Sequence, residues 1–414
     1  MKLLWRMKCS YSMRLRRVGK EAVLSRGWAG GWAIAFILGL CLRAFAGQGT
    51  PSGPATNVPV RPAGSDRGFS YRNDQRSDPT WSVHVFKVDR SRRDLLLTST
   101  TGAHAAIGMS RLSDQLKDLP GSWGTPIAAV NGDFYTTEDA YQGDPRDVQI
   151  RSGELISAPA GHAAFWVDRA GEFRATNVTS NLRVRLPDGS VHQMGLNEVR
   201  EAESIVLYSA AIGTSTRTSG GVDLVLTNVP GEPWVPLQVG KRLRAKVSEV
   251  RNGGDSPVPL DGLVLSIGSR MPEAVRRLAV GSEVRLEFET TPDLSEAETA
   301  MGGGPTLVRA GKAMSWSNIQ VRHPRSAMGW NKTHYFLVEV DGRQPDLSVG
   351  MTFPELADYM VQLGCDEAIN LDGGGSATMW VLGQVVNSPS EGRERPGANS
   401  LVVLKRPNPE LPRP

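Results

Sequence analysis

Hydrophobic and polar positions alternate over Trp81-Ser82-Val83-His84-Val85-Phe86-Lys87-Val88 as they do in a half-buried strand. Asp94-Leu95-Leu96-Leu97-Thr98 reads as its partner. From Ser110 on, Leu112, Leu116 and Leu119 fall at helical spacing, and Pro120-Gly121 ends that helix. Pro126-Ile127-Ala128-Ala129-Val130 is a short apolar run, expected as a buried strand, and it stops abruptly at Asn131-Gly132-Asp133. Residues 172–295 are read as a β-rich lobe. Its short alternating segments, such as Arg183-Val184-Arg185-Leu186, are separated by the turn pairs Asp188-Gly189, Asn252-Gly253 and Asp261-Gly262. Thr352-Phe353-Pro354-Glu355 is a capping box with proline in the first turn, predicting a helix that runs to Leu363 and ends at Gly364. Ala368-Ile369-Asn370-Leu371 is a second buried strand. Asp372 and three glycines follow, and the segment from Thr378 turns back at Gly383-Gln384.

Helix, buried strand and polar turn thus occur twice, at 110–133 and 352–375. The expectation is that the two strand ends lie side by side and offer Asn131, Asp133, Asn370 and Asp372 to one cleft. The expected architecture is an α/β domain (α+β mixed) over 79–407, a mixed β-sheet core with helices and the β-rich lobe 172–295 inserted between the halves of the site.

Charge modifies this picture at one end only. The 414 residues carry a net charge of +4, but residues 1–46 hold nine Lys/Arg and one acid, which leaves 38 basic and 42 acidic residues, about −4, in the remainder. A nucleic-acid binder would show a basic folded part, so that class is excluded. Arg14, Arg16, Arg17, Lys20 and Arg26 precede an apolar run from Trp28 to Leu42, and Ala44-Phe45-Ala46 supplies a cleavage site. This order predicts a signal peptide over 1–46 and a secreted or periplasmic protein. The run is short for a membrane span, so membrane contact is expected only through an uncleaved signal acting as an anchor. Residues 47–78, rich in Gly, Pro, Ser, Arg and Asp, read as a flexible linker. Cys9 and Cys41 fall in the signal, so Cys365 alone remains, and neither a disulfide nor a cysteine zinc site is expected.

Candidate chemistry gathers in the C-terminal third. In Asp372-Gly373-Gly374-Gly375-Ser376, three glycines after a strand permit unusual backbone conformations and close approach of a ligand, and their N–H groups can converge on an anion. The same residues also fit a tight turn with a capping aspartate. Gly302-Gly303-Gly304-Pro305 is a second glycine cluster. His323-Pro324-Arg325-Ser326 sets an imidazole beside a guanidinium suited to phosphate or carboxylate. Asn387, Glu394, Arg395 and Asn399 crowd a polar loop. His84, His104, His162, His192 and His334 stand alone in the sequence and read as structural. No P-loop, zinc-protease motif, nucleophile elbow or dinucleotide fingerprint is present.

These stretches in this order resemble the phosphodiester glycosidase family. The likeness rests on Val130-Asn131-Gly132-Asp133-Phe134-Tyr135, Gly302-Gly303-Gly304-Pro305 and His323-Pro324-Arg325-Ser326-Ala327-Met328-Gly329. It continues through Val340-Asp341-Gly342-Arg343, Ser348-Val349-Gly350-Met351-Thr352, the Asp372–Ser376 glycine segment, Val386-Asn387-Ser388-Pro389 and Glu394-Arg395-Pro396. Together they span about 80–405. Tyr135 stands where the family often has Phe, and the Cys-rich modules and membrane tail of its animal members have no counterpart.

The resemblance implies hydrolysis at a sugar's anomeric carbon with a phosphodiester as leaving group, here expected in cell-wall or extracellular polysaccharide. Such cleavage passes through an oxocarbenium-like state that a carboxylate stabilises, and the departing phosphate needs anion stabilisation more than a strong acid. Asp372 is then expected at the reacting centre and Arg325 on the phosphate, with Asn131 and Asn370 positioning sugar hydroxyls. Asp133 and His323 are further catalytic candidates. Gly303, Gly304, Gly373, Gly374, Gly375, Ser376, Asp341, Arg343, Asn387 and Arg395 are expected to line the carbohydrate or sugar-phosphate substrate. No cofactor is required; Asp133, Asp144 and Asp372 are the carboxylates available to a Ca²⁺ ion. Two other classes stay open: a phosphodiesterase cutting P–O, and a non-catalytic envelope protein that binds polysaccharide.

Overall fold

A computed structural model describes residues 68–137, 139–229, 234–317 and 321–406. The expected signal peptide and residues 47–67 of the expected linker lie outside the described residues. Ordered structure begins earlier than the linker reading allows: Phe69–Ser77 is a strand in full antiparallel register with Thr80–Asp89.

The α/β expectation is overturned. Among the described residues there are 24 strands and three α-helices, Leu112–Lys117, Glu273–Arg276 and Phe353–Gln362. Continuous apolar runs such as Ile127-Ala128-Ala129-Val130 suggested strands buried beneath helices, the usual setting of a parallel sheet. Here sheets cover one another instead, and the ladders are antiparallel except for Gly195–Leu196 against Ile205–Tyr208.

Three sheets make up the fold. A seven-stranded sheet runs in the order Phe69–Ser77, Thr80–Asp89, His334–Val340, Arg325–Trp330, Glu367–Asn370, Thr306–Arg309, Lys312–Ala313. A five-stranded sheet runs Gln384–Val385, Met379–Val381, Thr125–Asn131, Ser400–Lys405, Leu95–Ser99. Leu95–Ser99 therefore pairs with Ser400–Lys405 and not with the strand before it, the expected partner. A 12-stranded sheet extends from Gln149–Arg151 to Ala297–Gly302, so the β-rich lobe begins before residue 172.

The three sheets meet around one core in which Phe86, Val130, Phe165, Met301, Leu337, Ile369 and Leu401 are all fully buried. Removing side chains of this size from water contributes roughly 1.5–3 kcal/mol each. The large sheet has a further core of its own around Leu182, Leu224, Leu265, Leu286 and Phe288. The capping box is present as the sequence predicts: Thr352 Oγ1 accepts from Glu355 N–H, and the Glu355 carboxylate accepts from Thr352 N–H. The helix it starts buries Leu356, Ala357 and Met360 against Ala327, Val338 and Ala368 of the seven-stranded sheet. No helix among the described residues is long and apolar enough to cross a membrane.

Candidate active site

The ends of Thr125–Asn131 and Glu367–Asn370 lie side by side. Asp372 N–H donates to Gly132 O at 2.9 Å, and Asn131 Nδ2 donates to Asp372 O at 2.8 Å. The other side of the Asn131 amide is also engaged, because its Oδ1 accepts from Ser326 Oγ at 2.5 Å and from Thr378 N–H at 3.1 Å. Asn131 is thus a clamp between both sheets with its hydrogen-bonding groups turned inward. Asn370, 1% exposed, donates to Gly304 O and Leu371 O. The Asn131 amide is thus engaged on both sides within the protein, while Asn370 Oδ1 has no partner.

Asp372 is half-buried and lines a small cavity with Asn131, Asp133, Tyr135, Ser376 and Arg395. Its Oδ1 accepts from Gly373 N–H at 2.9 Å. Burial raises its pKa above the ordinary aspartate value, opposed by the Gly373 N–H and by the guanidinium charges of Arg395 and Arg146. The glycine loop then folds against the preceding strand, with Gly374 N–H on Pro324 O at 2.9 Å. Gly374 sits at φ 63°, and a Cβ there would lie 3.1 Å from Arg343 Nη2. A Cβ on Gly375 would collide with Arg395. Two guanidinium groups therefore flank the loop. Arg395 is paired with Glu391. Arg343 is exposed and donates to His323 Nδ1 at 3.3 Å. Burial, and then the charges of Arg325 and Arg343, lower the His323 pKa.

Arg325 is placed differently from expectation. Successive strand residues face opposite sides, and Ser326 points to Asn131, so Arg325 points toward the helix. There its Nε donates to Met351 O at 3.0 Å, its Nη2 donates to Val321 O, and it stacks 4.0 Å from the centre of Phe353. Arg343 and Arg395, not Arg325, stand beside the glycine loop.

Asp133 reaches the site from the opposite wall. It is 2% exposed, with Oδ1 on Phe134 N–H and Oδ2 on Asp147 N–H. Burial is the main cause that pushes its pKa up to about 7, with Arg146 opposing and Asp147 adding. Gly302 is required here: a Cβ would strike the Asp133 carboxylate, and one on Gly303 would lie 2.5 Å from Asn370 O. The 302–304 cluster therefore packs the site walls from behind. Asp341 and Asn387 are also interior. Asp341, 1% exposed, accepts from Ser388 N–H at 2.7 Å, and Asn387 accepts from Met379 N–H at 2.8 Å.

Two neighbours escaped sequence reasoning. Tyr135 lines the Asp372 cavity and also, with Arg146, a larger adjoining cavity of about 860 Å³ whose walls include Asp144, His192 and Glu198. Arg146 stacks on Phe134, 4.2 Å from the ring centre, and donates to Gly303 O. Tyr135 lay inside a quoted motif, which was the available signal; nothing in the spacing marked Arg146. A cavity of about 1130 Å³, lined by Arg90, Arg93 and Glu172 among others, shares no residue with this site.

Residues 242–404 match the model of the family described as phosphodiester glycosidase. The match covers less than half of the chain. The matched segment contains Arg343, Asp372 and Arg395, while Asn131, Asp133 and Tyr135 precede it. A stretch of 96 residues is 33% identical to the SPbeta prophage-derived uncharacterized protein YomE of Bacillus subtilis (strain 168), covering 23% of this chain and 15% of that protein. Two solved structures share the fold. A hypothetical protein from Synechocystis superposes with a TM-score of 0.65 at 20% identity, over 82% of this chain and 62% of its own. A protein of Burkholderia pseudomallei K96243, described as a candidate exported protein, gives 0.61 at 22% identity over 78% and 74%. The chain thus spans less than two thirds of YomE and of the Synechocystis protein.

Proposed function

We propose that this protein is an exported hydrolase that cleaves the glycosidic bond of a sugar-1-phosphodiester in cell-wall or extracellular polysaccharide. The observation that carries the reading is the placement of the Asp372 carboxylate beside a glycine loop flanked by Arg343 and Arg395. A carboxylate held in a partly dehydrated cavity stabilises or traps positive charge developing at an anomeric carbon. The Arg343 and Arg395 guanidinium groups stabilise the departing phosphate, so the leaving group needs little protonation. The adjoining cavity, which shares Tyr135 as a lining residue, has room for the remainder of a polymeric substrate. The basic and apolar order of residues 1–46 supports export.

The test is hydrolysis of a synthetic sugar-1-phosphodiester in ¹⁸O-labelled water. Label in the released sugar supports C–O cleavage; label in the phosphate would establish a P–O phosphodiesterase instead. Asp372→Asn is expected to lower kcat by roughly 10²–10⁴-fold with the circular dichroism spectrum unchanged. Unchanged turnover in that folded variant would remove Asp372 from the reacting centre. Saturable binding of wall material with no hydrolysis by the wild type would support a binding protein.

A further inference from the structure

A second cluster of titratable groups lies inside the fold, behind the candidate site. Thr80–Asp89, His334–Val340 and Arg325–Trp330 are adjacent strands, and their register sets His84 opposite Glu339 and Glu339 opposite Ser326. Asp341, two residues beyond Glu339, projects from the same face. His84, Glu339 and Asp341 are 3%, 0% and 1% exposed. Each offers a ligand atom, and these atoms all lie within 4.8 Å of one another. His84 Nε2 is 3.0 Å from Asp341 Oδ2, which also accepts from Ser82 Oγ at 2.9 Å. Tyr71 Oη lies 2.8 Å from His84 Nδ1. Neither carboxylate oxygen of Glu339 has a hydrogen-bond partner.

Within this cluster Glu339 alone is left unsatisfied by protein groups. An ionised Glu339 needs donors for two oxygens, and a protonated one still needs an acceptor for its O–H. A buried polar group without either is strongly unfavourable. A divalent cation answers both demands. Two carboxylates cancel its charge, and a neutral imidazole completes a three-residue ligand set. Metal–ligand distances of about 2.0–2.2 Å place ligand atoms within roughly 4.4 Å of each other, inside the observed span. Tyr71 engages Nδ1, which orients the ring; Asn73 Nδ2 at 3.0 Å and Ser82 Oγ at 3.3 Å stand beside Nε2, the nitrogen an ion would take from them. An imidazole nitrogen in the set favours a transition ion over Ca²⁺ or Mg²⁺, which prefer oxygen throughout.

We propose that His84, Glu339 and Asp341 bind one divalent transition-metal ion of the zinc or manganese class. The ion ties two strands of the seven-stranded sheet together. Through Asp341 it also holds the segment at Ser388, whose neighbour Asn387 binds Ala377 O and Met379 N–H just after the glycine loop. Its role is to brace the floor of the site, and it stands independently of the hydrolytic reading.

The test uses the full chain and reads metal content and melting temperature, not activity. The protein is unfolded in chelator, refolded with Zn²⁺, with Mn²⁺ or with neither, dialysed, and analysed for metal. One ion per chain is expected with one of the two metals, together with a melting temperature at least about 5 °C above the metal-free protein. Glu339→Gln and His84→Asn are expected to lose the ion. Refolded wild type without stoichiometric metal, and with the same melting temperature in chelator as in either ion, overturns the proposal. So does a Glu339→Leu variant more stable than the wild type refolded with metal, since the glutamate would then be an ordinary buried acid.

Discussion

Arg325 and Arg343 are both arginines near the glycine loop, yet strand alternation separates their surroundings. Arg325 is walled in by Phe353 and two carbonyls, whereas Arg343 is exposed beside Gly374. Arg343→Ala is therefore expected to lower kcat/KM on a sugar-1-phosphodiester by about 10-fold or more, the loss of one charge-assisted contact, with the melting temperature unchanged. Arg325→Ala should do the reverse in part, lowering the melting temperature by several degrees because two carbonyls and a packed aromatic face lose their partner. Steady-state kinetics and thermal unfolding of the two variants, side by side, check the assignment. At this scale the sequence shows which residues have the right chemistry, but not which way they face. Asn131 and Asn370 had the correct address, since their strand ends do meet. An asparagine's amide serves a backbone carbonyl as readily as a sugar hydroxyl, however, and for Asn131 that choice is made by neighbours 195 to 247 residues away. Arg146 and the lone His84 were invisible for the same reason: their partners are brought to them only by the fold.

Among the elements, signals with local causes were legible. The capping box at Thr352, the strand at 126–130 and the hairpin at Gly383-Gln384 each depend on residues within one or two turns of chain. Misreading began where an element's cover had to be guessed. A run of buried residues looks alike beneath a helix and between two sheets, so the double occurrence of helix, strand and turn suggested an α/β fold that the ladders do not form. Leu95–Ser99 failed likewise, because proximity in sequence favoured Thr80–Asp89 while the observed partner, Ser400–Lys405, lies about 300 residues on. The strand Ala297–Gly302 supplies a sharp test of how these elements fit. A methyl on Gly302 meets the Asp133 carboxylate and the side chain of Asp147, neither free to withdraw because both accept backbone N–H bonds. Gly302→Ala is expected to destabilise the fold by about 1–3 kcal/mol, measured by denaturant unfolding. A midpoint equal to wild type would show that these walls are looser than described.

For the whole molecule, the acids buried around the lobe's cavity set a pH dependence of stability. Burial first, and then Glu198 and Asp133, push the Asp144 pKa up to about 8. The folded protein thus holds this proton more tightly than the unfolded chain does. The contribution is fully present below the ordinary aspartate range and is lost as pH rises toward about 8. Wild type should lose melting temperature from pH 4 to pH 8, and Asp144→Asn should lose less over that interval. Parallel curves for the two proteins would show that Asp144 titrates normally.

The pairing of Ser400–Lys405 between Thr125–Asn131 and Leu95–Ser99 has a consequence in time. The wall that presents Asn131 is completed by a strand made some 270 residues after it, and Asn399, whose Oδ1 receives the Asp133 N–H, arrives just before that strand. A nascent chain that has just passed Arg395 carries Asn131, Asp133, Asp372 and Arg395 and lacks the strand that joins their walls. The cavity at Asp372 is thereby completed only once synthesis has passed residue 405 and this strand slots into place.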